Sequence, residues 1–146
     1  MKSKILAQAM TMALCMAFAV GCASTGGSTE AAKPVDEKAA IAKVLQDWGA
    51  SLATKNVDSI MTHYSDAFSD GDGRGKAELK SFIQDAIANG YLDGAKVDVA
   101  TAQITVNGDE AVAVPVGLSG DMGSMAFSIS LKKEASGWRI VSSNQA

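Results

Sequence analysis

From position 35 onward the apolar residues keep a helical period, then change to a two-residue one. Ile41, Val44, Leu45, Trp48 and Leu52 recur at spacings of three and four and make one stripe. Lys43, Gln46, Asp47 and Lys55 lie mostly off it. Pro34 suits a helix opening, and Asp36 and Glu37 complement the dipole of a first turn. The spacing predicts a helix from Val35 to about Thr54, with Asn56 closing it. Asp58 is placed to cap a short second helix carrying Ile60, Met61 and Tyr64. A brief extension through Ala67 and Phe68 follows. The run "DGDGRGK" reads as a loop, and Leu79, Phe82, Ile83 and Ile87 predict a third helix over Lys76–Ala88, stopped by Asn89-Gly90.

After Gly94 the alternation is that of strands. Val97 and Val99 share one parity and Ile104 and Val106 the other, which predicts a bulge between Thr101 and Gln103. "NGDE" at 107–110 is a hairpin signal. Val112, Val114, Val116 and Leu118 then alternate with Ala111, Ala113, Pro115 and Gly117. Pro115 cannot donate to a ladder, so that strand is expected at an edge or with an irregularity. Gly120 and Gly123 mark a turn. Met125, Phe127, Ile129 and Leu131 alternate with serines and alanine, and Ser136-Gly137 precedes Trp138, Ile140 and Ser142 as a last alternating set. Three helices followed by a meander of about four antiparallel strands predict an α+β domain over 34–146, with N-terminal helices packed on a curved sheet.

The first third of the chain follows neither period. Lys2 and Lys4 precede an apolar run from Ile5 to Val20, shorter than the roughly 20 residues a bilayer span needs. A basic start, apolar middle and small-residue end describe a secretory signal. The end, Ala19-Val20-Gly21-Cys22, resembles a bacterial lipobox, with Ala19 where leucine is commoner. The resemblance implies that residues 1–21 are a lipoprotein signal peptide and that Cys22 becomes an acylated first residue, anchoring the protein in a lipid bilayer. Ala23, where an aspartate commonly signals inner-membrane retention, points to the outer membrane and a periplasmic domain. The alternatives are an ordinary cleaved signal or a single-pass anchor. Residues 22–33 are small and polar and read as a flexible tether.

Charge and cysteine count narrow the function classes. The chain carries 13 Lys and Arg against 16 Asp and Glu; without Lys2 and Lys4 the balance becomes more acidic. That argues against nucleic acid. Cys15 falls in the signal and Cys22 is the acylation site, so the domain has no disulfide. One histidine and no spare cysteine make a structural zinc site untenable. Asp70 to Gly75 has the look of a calcium loop, but Arg74 and Ser81 stand where ligands belong, so no metal is expected. No cofactor motif is present.

The order of elements resembles the NTF2-like superfamily, which includes SnoaL-like and ketosteroid-isomerase-like domains. The resemblance rests on "AAIAKVLQDWGASLATKNVDSIMTHYSDAFSD", on "GRGKAELKSFIQ" and on "EASGWRIVSSN". It implies a cone in which the sheet wraps the first helix around an apolar pocket, and a surface through which copies often pair. His63, Tyr64 and Asp66 are the candidates for chemistry: a histidine beside a carboxylate is a potential general base. The plainer alternative places His63 on an exposed margin and Asp66 in solvent. Trp48, Tyr64, Phe68, Phe82, Phe127 and Trp138 are candidate pocket-lining residues, and equally candidate core. The Ser124, Ser128 and Ser130 face, with small Ala111, Ala113 and Gly117 beside it, suggests a homodimer contact. Two functions are therefore expected to compete. One is a membrane-anchored, non-catalytic domain that binds a small apolar ligand or an envelope protein. The other is an isomerase, dehydratase or hydrolase using His63 or Asp66 as base.

Overall fold

The computed structural model describes residues 36–146; the signal, the tether and Cys22 lie outside the described residues. Three helices precede five strands: α1 (Glu37–Thr54), α2 (Val57–Met61), α3 (Lys76–Ala88), β1 (Lys96–Asp98), β2 (Gln103–Asn107), β3 (Glu110–Gly120), β4 (Gly123–Glu134) and β5 (Gly137–Gln145). The strands form one curved antiparallel sheet in the order β1–β3–β4–β5, with β2 paired to the same strand, β3, as β1. No helix among the described residues is long and apolar enough to cross a membrane.

Capping corrects the helix ends. Asp36 sits before α1 rather than in its first turn, and its carboxylate accepts from the backbone N–H groups of Lys38 and Ala39 at 3.1 and 3.3 Å. Lys55 ends α1 in the left-handed region (φ 56°). Asn56 therefore does not close α1. It caps α2 in place of Asp58, accepting from Ser59 N–H at 3.0 Å. Either side chain satisfies an N-terminal donor, and the one immediately before the first helical residue does so.

The 96–106 stretch is two strands rather than one with a bulge. Residues 99–102 leave the sheet, and β1 and β2 pair with opposite ends of β3: Val97 with Leu118, Ile104 with Ala113. Gly49 of α1 lies against Val97; a Cβ added there would come within 2.6 Å of the Val97 Cβ. Helix and strand backbones approach that closely only because position 49 has no side chain. Gly49→Ala is therefore expected to cost about 1–3 kcal/mol despite alanine's better helix propensity, read as a lower urea midpoint with an unchanged slope.

Two irregularities set which residues face inward. Pro115 lies in the interior strand β3, and the register with β4 shifts between Ala113 and Val116. Inward positions are consequently Ala111 and Ala113 before the shift and Val116 after it, all 2 % exposed or less, while Val112 is 39 % exposed. This overturns the expected close approach of two copies through Ala111 and Ala113, which are core. In β5 the register shifts at Ser130/Leu131, so Ile140 pairs with Leu131 but Ser142 with Ser130. Trp138 and Ile140 point into the core, and Ser143 rather than Ser142 continues their face, opposite Ile129.

Both offsets divide the sheet's concave face. On one side of them Ala111, Ala113, Ile129, Leu131, Trp138 and Ile140 close against Ile41, Leu45 and Ile60 in a sealed core. On the other side Val116 is still sealed, but Leu118, Met125, Phe127, Ser143 and Gln145 are only partly covered or exposed and line a cavity.

Candidate functional site

The cavity holds about 560 Å³ and opens to solvent. That volume lies within the range of small-molecule sites. Its floor is Trp48 and Leu52 of α1 and Tyr64, which follows α2; one wall is Leu79, Ile83 and Ala86 of α3, and the other is β3–β4. Phe82, Tyr91, Met122 and Met125 stand round the mouth, each at least half exposed.

An exposed apolar cluster of this kind marks a binding surface more often than a scattered surface residue does. Phe82 is held by Arg74, whose guanidinium carbon lies 4.8 Å from the ring centroid. Arg74 is in turn fixed by Asp70 at 2.7 Å and Asp72 at 2.8 Å. The 90–95 loop is tied to the β3–β4 turn by Asp121 N–H donating to the Asp93 carbonyl at 2.9 Å. Gly120 permits this approach, since a Cβ there would meet the same carbonyl at 2.8 Å. Tyr91, Leu92 and Met122 are thereby brought to one rim.

Of the candidate lining residues, Trp48, Tyr64, Phe82 and Phe127 border the cavity. Phe68 and Trp138 do not. Phe68 is buried behind Tyr64, edge to face at 5.0 Å. Trp138 belongs to the sealed half and donates its indole N–H to Glu37 at 2.7 Å. Leu118, Tyr91, Leu92 and Met122 escaped sequence reasoning. One signal existed: Met122 and Tyr91-Leu92 are apolar residues inside glycine-flanked turns, where no core position is available to them.

The three candidates for chemistry do not converge. Only Tyr64 borders the cavity. Its hydroxyl is pushed well above the ordinary tyrosine value by burial, partly offset by the neighbouring Trp48 indole. Asp66 has a 99 % exposed side chain paired with Lys76 at 2.8 Å, which lowers its pKa. His63 sits on the other side of α2, with Nε2 3.2 Å from Ser51 Oγ. That hydroxyl donates to the Asp47 carbonyl at 3.0 Å and lies 2.9 Å from Ser59 Oγ. Three acceptors, the Asp47 carbonyl, Ser59 Oγ and His63 Nε2, thus compete for its one proton, and neither Ser51 nor His63 borders the cavity. Burial lowers the His63 pKa, Asp47 opposes this and Arg139 adds to it. Among the described residues no group of three His, Cys, Asp or Glu side chains is placed to hold a metal ion.

Four pKa shifts share one sign. Hydrogen bonds from Lys133 and then Trp138 lower Glu37. Lys76 lowers Asp66. Asp70 is raised by burial but lowered overall by the Arg74 and Asp72 backbone N–H groups and the Arg74 side chain. His63 is lowered as above. A lowered folded-state pKa adds stability that is present above the unfolded value and lost as pH falls through the folded one. Tm is expected to slip slightly as pH drops below 6.5, the ordinary His63 value, and more steeply below 4.5, the ordinary Glu37 value. His63→Gln should remove only the first decline in a series of thermal melts.

The comparisons agree with this architecture. A SnoaL-like domain signature matches residues 41–145, and the chain belongs to that family. A protein of unknown function with a cystatin-like fold from Nostoc punctiforme superposes with TM-score 0.62 at 18 % identity, covering 74 % of this chain and 88 % of the other. An NTF2-like protein of unknown function from Shewanella baltica gives 0.60 at 19 %, with 78 % and 97 % covered. A protein proposed to be a ketosteroid isomerase, from Shewanella frigidimarina, gives 0.61 at 20 %, with 76 % and 98 % covered. At these identities the likeness is one of fold. No curated protein matches the chain in sequence.

Proposed function

We propose that this domain is a non-catalytic receptor for a small apolar molecule, held at a bacterial membrane by acyl chains on Cys22. The open cavity of about 560 Å³, with Trp48, Leu52 and Tyr64 at its base and an exposed apolar rim, carries the reading. Neither His63 nor Asp66 borders it, which supports binding over general-base chemistry. Native mass spectrometry of the full-chain protein from its own host tests the binding. A co-purifying small molecule released on denaturation is expected. A ligand-free spectrum, together with no uptake of an apolar fluorescent probe, overturns the reading.

Lys2, Lys4, the apolar run to Val20 and the Gly21-Cys22 junction support the anchor and an outer-membrane, periplasm-facing location. One acyl chain holds a protein only marginally, so several are required for stable attachment. Labelled palmitate is expected to enter the wild-type protein, and Cys22→Ala to abolish both labelling and sedimentation with membranes.

A further inference from the structure

The cavity is lined unevenly. Apart from its two tyrosines, every polar residue on the lining comes from two segments, the 70–74 loop and residues 143–145 at the end of β5. The two adjoin: Ser69 N–H donates to the Val141 carbonyl at 3.0 Å, and a Cβ at Gly71 would overlap the Asn144 amide oxygen. They make one polar side, which β4, with Met125 and Phe127, separates from Leu118 of β3. The charges of the loop engage one another. Asp70, whose side chain is 6 % exposed, accepts from Arg74 Nε at 2.7 Å and from the backbone N–H groups of Asp72 and Arg74 at 3.0 and 2.9 Å. Arg74 also reaches Asp72 at 2.8 Å. On β5, Ser143 pairs with Ile129 and Gln145 with Phe127, which sets both on the concave face. Neither the Ser143 hydroxyl nor the Gln145 side-chain amide has a hydrogen-bond partner among the described residues, whereas Asn144 donates to Ser142 Oγ at 3.3 Å. Ser143 is half-buried and Gln145 exposed, so both are open to the solvent of the cavity.

Resting on the receptor reading above, we propose that Ser143 and Gln145 hold the one polar group of the ligand, with its apolar body laid against Trp48, Leu52 and Ile83. A few placed polar groups orient a ligand in an otherwise apolar site. A hydroxyl and a primary amide each donate and accept, so they suit a head that does both, an alcohol or an amide. The ligand class is therefore an uncharged amphiphile and not a fatty acid. The charged residues on the lining are Asp70, Asp72 and Arg74, one acid in excess, and Arg74 is held by both carboxylates. An anionic head would lose hydration beside that surplus, with no unpaired cation on the lining to receive it. A plain hydrocarbon fills the volume but leaves both side chains to water.

Three probes with one ring system separate these cases: 2-(2-naphthyl)ethanol, 2-ethylnaphthalene and 2-naphthylacetate, titrated into the full-chain protein. The alcohol is expected to bind about fivefold more tightly than the carboxylate. Ser143→Ala combined with Gln145→Leu should lower the ratio of alcohol to ethyl affinity about fivefold, the worth of one net hydrogen bond exchanged with water. Taking the ratio removes any change in packing that the two substitutions impose on both probes alike. A ratio unchanged in the double variant, or a carboxylate that binds as tightly as the alcohol, overturns the proposal and leaves the receptor reading intact. Failure of all three probes to bind the wild-type protein overturns both. The comparison of alcohol with carboxylate is read on the wild-type chain, so the test survives a poorly folding variant.

Discussion

Trp138→Ala is expected to destabilise the domain by about 3–5 kcal/mol, a large share of the roughly 5–15 kcal/mol that holds a domain of this size together. The ring is 3 % exposed in the sealed half of the sheet. Its N–H reaches Glu37, which also accepts from Lys133 at 2.5 Å, so the start of α1 is tied to the β4–β5 hairpin through one carboxylate. Alanine removes the packing and the donor together. Trp138→Phe removes mainly the donor, and Glu37 keeps Lys133, so about 1 kcal/mol is the expected loss. Urea unfolding of the three proteins, followed by far-ultraviolet circular dichroism, reads the order wild type, Phe, Ala. Equal midpoints for Phe and Ala would place the whole effect in the hydrogen bond.

Leu118→Trp is expected to do the reverse: spare the fold and close the site. Leu118 is only partly buried and borders the cavity opposite α3. A larger ring at that position has open volume to enter, so the change in stability should stay within about 1 kcal/mol. Affinity for an apolar probe should fall by more than about tenfold, because the ring and the probe claim the same space. Titration of a fluorescent apolar probe, beside a urea curve of the same sample, checks both halves. Unchanged affinity would mean that ligands sit elsewhere.

Helix positions were legible because a stripe such as Ile41, Leu45, Trp48 and Leu52 records its own geometry. The third helix matches its expected span of Lys76–Ala88. Helix caps were less legible, since an acidic residue able to serve the same helix end lies within two positions of Asp36 and of Asn56. The strands misled in a specific way. Val112, Val114, Val116 and Leu118 have an unbroken two-residue period, yet the shift beside Pro115 places Val112 outside and Val116 inside. Pro115 signalled an irregularity but not its phase, because phase depends on which neighbour the strand pairs with. Val141 gave no signal at all for the second offset. The floor of the pocket was legible as aromatic residues on helices. Its rim was legible only at Phe82, because Tyr91 and Met122 come together only through the Asp121–Asp93 contact between distant loops.

The pair of offsets in the third and fifth strands has an evolutionary corollary. Apart from Val116, the side chains beyond them are only partly covered or exposed, so exchanging them endangers folding less than exchanging the sealed half would. On the receptor reading proposed above, a scaffold partitioned in this way would change tenants by altering Leu118, Met125, Phe127, Ser143 or Gln145 while its foundation stays constant. Chains sharing this framework are then expected to differ most in those positions.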